Sequence, residues 1–114
     1  MEHIPQSKAQ KFESDAVTSW EYDMKDAKLN LAPIVIKGRY PASGYTSNTL
    51  SDSIVHVIKG YGMLTLKDGT TASLLENDQV HLAVGDEYYF EGTDMFIVYA
   101  ATPPWTPEQT QQST

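Results

Sequence analysis

At 114 residues, with 40% apolar and 20% charged side chains, the chain has the size and make-up of one ordinary globular domain, and disorder is not the default. The absence of cysteine excludes disulfides, thiolate metal sites and a cysteine nucleophile. The net charge is −7, and no lysine or arginine follows Lys67, so nearly half the chain lacks the cations that nucleic-acid binding requires; no apolar run is long enough to span a membrane.

In chain order, the opening MEHIPQSKAQKF has no apolar stretch of the kind a secretory leader carries, and a cytoplasmic location is expected. Residues 11–22 have strand character, with Val17–Tyr22 (VTSWEY) alternating; this segment is expected to add to a sheet edge, that of a second subunit. Helical periodicity is confined to a turn near Asp23–Lys28. Pro33–Tyr40 (PIVIKGRY) and Ser53–Ile58 (SIVHVI) are apolar, β-branched strands, and Gly62–Leu66 (GMLTL) follows the Gly60-Tyr61-Gly62 turn. Asp68-Gly69 is a hairpin dipeptide with Thr70–Leu75 as its return strand, and Asn77-Asp78 makes the next turn. Gln79–Leu82, Glu87–Phe90 and Met95–Ala101 complete the set, separated by Gly85-Asp86 and Gly92-Thr93-Asp94. The ending PPWTPEQTQQST, Pro103–Thr114, mixes prolines with polar residues and is expected to lie over the surface or fray.

Many short strands joined by glycine and Asp/Asn turns predict an all-β sandwich or barrel. The layout is one domain over 1–114: an N-terminal extension with an edge strand (1–30), a barrel (33–102) and a Pro-rich polar tail (103–114). Strands apolar on both faces imply a sheet closed over a core and also covered outside, with a second protomer as the cover.

Two stretches carry a family resemblance. SIVHVIKGYG, Ser53–Gly62, followed by a hairpin, resembles the first conserved motif of the cupins, and LLENDQVHLAVGDEYYFEG, Leu74–Gly92, resembles their second. PPWTPEQ, Pro103–Gln109, is similar to the closing segment of many small single-domain cupins. The resemblance covers about residues 33–109 and implies a double-stranded β-helix, the jelly-roll barrel of the cupin type, and a homodimer that buries Ile54, His56 and Ile58.

The departures bear on the chemistry. In the family, two histidines and a glutamate of the first motif and a histidine of the second hold a metal; the corresponding positions here are Ser47, Thr49, Ser53 and Tyr88. Neutral hydroxyls are poor ligands for Zn²⁺, Fe²⁺, Mn²⁺ or Ni²⁺, so neither a metal nor any other cofactor is expected. Tyr40, Ser47, Thr49, Ser53 and Tyr88 would instead form an apolar cup with hydroxyls at its mouth, suited to a small, neutral or weakly polar organic molecule. The alternative is a barrel packed shut by Tyr88.

The remaining candidates read as bland. His3 lies near the N-terminus, and alternation turns His56 and His81 away from the barrel interior. No Gly-x-Ser-x-Gly elbow is present. Asp52, Glu87 and Glu91 read as turn and rim charges rather than an acid–base pair. The functional expectation is a metal-free cupin-like barrel that binds a small organic molecule. The alternative is an isomerase, epimerase or lyase acting on a sugar or small acid, which needs a base inside the cup.

Overall fold

A computed structural model describes all 114 residues. Nine strands, β1 (Gln10–Glu13), β2 (Val17–Glu21), β3 (Asn30–Tyr40), β4 (Tyr45–Asn48), β5 (Asp52–Leu66), β6 (Thr71–Leu74), β7 (Gln79–Leu82), β8 (Tyr88–Thr102) and β9 (Thr110–Ser113), curl into a jelly-roll barrel with every pairing antiparallel. One path runs β1-β2-β3-β8-β4-β9, and β5 pairs with β6, β7 and β8. Two short 3-10 turns, Gln6–Lys8 and Pro107–Gln109, are the sole helical elements; residues 23–28 form no helix, and no helix is long and apolar enough to cross a membrane.

Strands β5 and β8 are each 15 residues long and merge what the glycines divided into separate strands. The glycines at 60, 62 and 92 are not loop residues. They sit inside strands where backbones of different strands touch: a Cβ on Gly60 would collide with the Asp94 carbonyl, on Gly62 with that of Glu91, and on Gly92 with that of Ile36. The β5–β8 register slips on both sides of Lys59, and the β3–β8 register between Ile36 and Gly38. Bulges and glycines together bend a long strand sharply enough to serve both halves of the barrel.

Alternation decides what lies inside. Val55, Val57, Ile97 and Met95 are wholly buried, with Ile36, Leu64, Leu74, Leu82 and Phe90 around them. The opposite face of the same strands carries Leu31, Ile54, Ile58, Val98 and Ala100, all exposed or half-buried.

Both ends of the chain belong to the body. The N-terminal strand β2 pairs with β3 of its own chain, Val17 opposite Ile36 and Ser19 opposite Ile34, so the sheet edge it adds to is one of its own chain. The tail does not fray. β9 pairs with β4 along its whole length, and the buried Gln109 accepts from Ser51 Oγ (2.8 Å) and donates to the Pro104 carbonyl (3.0 Å). These side-chain bonds anchor a segment whose prolines have no N–H to donate to a ladder.

Candidate functional site

A cavity of about 440 Å³ opens at the end of the barrel covered by the two chain ends. Strand β2 forms one wall. Its period of two turns Val17, Ser19 and Glu21 inward and Thr18 and Trp20 outward. Ile34 and Ile36 of β3 continue this wall, and Tyr40, Tyr88 and Tyr99 project from β3 and β8. Thr46, Ser47 and Asn48 of β4, all buried, supply the polar side. At the mouth Phe12 of β1 meets Trp105 of the tail edge-to-face, with centroids 6.4 Å apart. Trp105 is held by its own donors: N–H to Asn30 Oδ1 (3.2 Å) and Nε1–H to Thr110 Oγ1 (3.1 Å).

The residues expected to form the cup divide. Tyr40, Ser47 and Tyr88 line the cavity. Ser53 sits beneath it, buried, where its Oγ donates to the Tyr99 hydroxyl at 2.6 Å. Thr49 lies outside on an exposed bend, its hydroxyl donating to the Gln109 carbonyl at 2.9 Å, so the strand has ended before this side chain could turn inward. The cavity is open, with Tyr88 in its wall rather than across it.

One residue escaped the sequence reading. Glu21 lines this cavity and also a second one of about 410 Å³ on the other side of the Phe12–Trp105 pair. Burial pushes its carboxyl from 4.5 up to about 7. The signal is present in VTSWEY, where alternation sets the glutamate on the face of Val17 and Ser19. It is easily missed, because an edge strand and a cavity wall share the same alternating pattern.

Burial shifts the phenols in the same direction. Burial raises Tyr40, with a hydrogen bond from Thr46 opposing it, and burial together with the neighbouring Tyr99 and Tyr40 raises Tyr88 well above the ordinary phenol value. Both therefore stay protonated near neutrality and act as hydrogen-bond donors.

The other candidates are engaged elsewhere. His81 Nε2 meets Asp52 Oδ1 at 2.6 Å and His56 Nδ1 meets Gln79 Oε1 at 3.2 Å, both on the outer face. Glu87 accepts from Ser113 Oγ and faces Lys67 across 3.6 Å. Arg39 stacks on Tyr89, 3.9 Å from its ring centroid, and Tyr89 packs on Tyr45.

Comparison with solved structures places this architecture. A variant of Streptomyces Pac13 with uridine superposes with a TM-score of 0.86 at 13% identity, covering 99% of this chain and 90% of that one. The chain has the cupin fold. Pac13 is described as a unique nucleoside dehydratase. Two further cupin-fold neighbours are ectoine synthase from P. lautus (TM-score 0.77, 16% identity, 100% and 91% of the two chains) and KdgF from Halomonas sp. (0.69, 13%, 90% and 94%). By sequence alone, no protein-family model and no curated protein matches.

The four positions that correspond to the metal ligands of the cupins do not fit a transition ion here. Ser47, Thr49, Ser53 and Tyr88 are neutral hydroxyls, and only Ser47 and Tyr88 face the cavity. Nowhere in the chain do three His, Asp or Glu side chains come together in a metal-holding group.

Proposed function

We propose that the protein is an acid–base enzyme of the lyase or isomerase kind, holding a small neutral organic molecule in its cup. The observation that carries this reading is Glu21, a carboxyl poised at about 7 on the wall of a cavity that also holds protonated phenols. A base needs to be ionised and still strong at neutral pH, and a pKa near 7 meets both demands. The carboxylate takes a proton from a substrate carbon. Returned to a hydroxyl leaving from the neighbouring carbon, that proton completes a loss of water; returned to a different carbon, it completes an isomerisation. Tyr40 and Tyr88 donate hydrogen bonds to substrate oxygen throughout. The fold neighbour Pac13, described as a nucleoside dehydratase, lends the dehydration branch support by analogy of fold.

A panel of compounds tests this without a substrate having to be named. The protein is incubated in D₂O with neutral sugars and nucleosides, and each component is followed by NMR. One component is expected to take up deuterium or lose water, and Glu21→Gln should abolish the change. A compound that occupies the cup yet is neither exchanged nor converted would return the protein to a carrier or sensor role, the ligand-binding expectation drawn from the sequence.

A further inference from the structure

Resting on that reading of the cup, we infer that Asn48 is its specificity residue: the side-chain Nδ2 receives a carbonyl oxygen of a neutral, ring-bearing ligand. Asn48 is 6% exposed and lines the cavity at the end of β4. Its Oδ1 accepts from the backbone N–H groups of Leu50 (2.9 Å) and Ser51 (2.7 Å). These two donors fix the amide orientation, because a flipped side chain would set Nδ2–H against two N–H groups. Nδ2 is then left as the free end, and it is the one buried side-chain polar atom in the chain without a hydrogen-bond partner. A buried donor left unsatisfied costs about 1–3 kcal/mol, which a bound acceptor recovers.

The rest of the cavity says what kind of molecule carries that acceptor. No Lys, Arg or His lines it, while Glu13 and Glu21 do. A phosphate or carboxylate would lose its hydration there without gaining a cation. Six aromatic rings line the walls, Phe12, Tyr40, Tyr88, Phe90, Tyr99 and Trp105, which favours a planar ring over a flexible chain. The amide N–H and the phenols are neutral donors lining one cavity, and in the proposed chemistry the amide would stabilise negative charge developing on the oxygen it receives.

The experiment uses the full chain carrying Glu21→Gln, so that binding is read apart from turnover and failure of the acid–base reading leaves this result interpretable. The probes are inosine against purine riboside, which lacks the 6-oxo group of the base, and uridine against uridine 5′-monophosphate. Inosine is expected to bind about tenfold more tightly than purine riboside, the worth of one recovered hydrogen bond. Uridine is expected to bind about tenfold or more tightly than its monophosphate. In ¹⁵N-labelled protein, an Asn48 Nδ2–H proton should move downfield with inosine and stay in place with purine riboside. Asn48→Asp, which keeps Oδ1 for the backbone contacts, should remove the preference for inosine. Equal affinities within either pair, an unmoved Asn48 resonance in a bound complex, or failure of both oxo-nucleosides to bind would overturn the inference.

Discussion

Moving the Glu21 carboxyl from water into the half-buried wall raises its pKa from 4.5 to about 7. The sign of the consequence is fixed by linkage. The neutral acid costs the fold little, but from about pH 4.5 upward the unfolded chain ionises first, so stability falls with rising pH until the folded carboxyl also ionises, near 7. Glu21→Gln removes that loss. Urea unfolding should find the variant more stable by about 1–2 kcal/mol at about pH 8, a figure reduced from the full shift because water still reaches the group. The two proteins should match at about pH 4. Activity runs the opposite way, since a base acts only when ionised: kcat/KM should rise with pH through an apparent value near 7 and then level off, and the rise should vanish in Glu21→Gln. Ser53 offers a check free of this titration. Ser53→Ala takes away the donor to the Tyr99 hydroxyl and should cost about 1 kcal/mol in the same unfolding experiment.

For the strands, the sequence is most legible where period-two apolar runs meet acidic turns. Gln79–Leu82 appears with the expected bounds, and Asp68, Asp78 and Asp86 each accept a backbone N–H at the expected turn. It is least legible at the interior glycines. Gly60, Gly62 and Gly92 punctuate the sequence as turns do, but a glycine required by a close backbone approach looks the same as one required by a loop. Only the close approach of β8 to β5 and of β3 to β8 distinguishes the two. Gly60→Ala tests the first approach: φ is +79° and the Asp94 carbonyl fills the space a Cβ would need, so the loss should exceed about 1 kcal/mol. Gly69→Ala has open space around it and should lose stability through φ alone. Comparison of the two unfolding midpoints measures the contact. The cup is half legible. Motif alignment leads to Ser47 and Tyr88 and the aromatic content to Tyr40, but the wall supplied by β2 lies outside the resemblance, and Trp105, though inside it, carries no motif role that marks it as a wall residue.

In the molecule as a whole, the outer face of β3, β8 and β5 breaks the rule that a solvated sheet face is polar. Leu31, Ala100 and Ile54 stand in one cross-strand row, with Val98 and His56 in the next. Asp52 begins β5 on this side and Lys59 stands at its middle, so a two-fold axis passing between them across the strands would set each acid of one copy toward a lysine of the other. A second copy is the proposed cover. Light scattering should give twice the 12.7 kDa chain mass, and Ile54→Glu should yield monomers with an unchanged circular dichroism spectrum; a monomeric parent protein would reject the proposal. The Phe12–Trp105 contact has a consequence for biosynthesis, because its partners come from opposite ends of the chain. During translation the strands from β1 to β8 emerge before Trp105 leaves the ribosome. Until Trp105 and β9 follow, the nascent chain has neither the mouth of the cup nor the strand that pairs with β4.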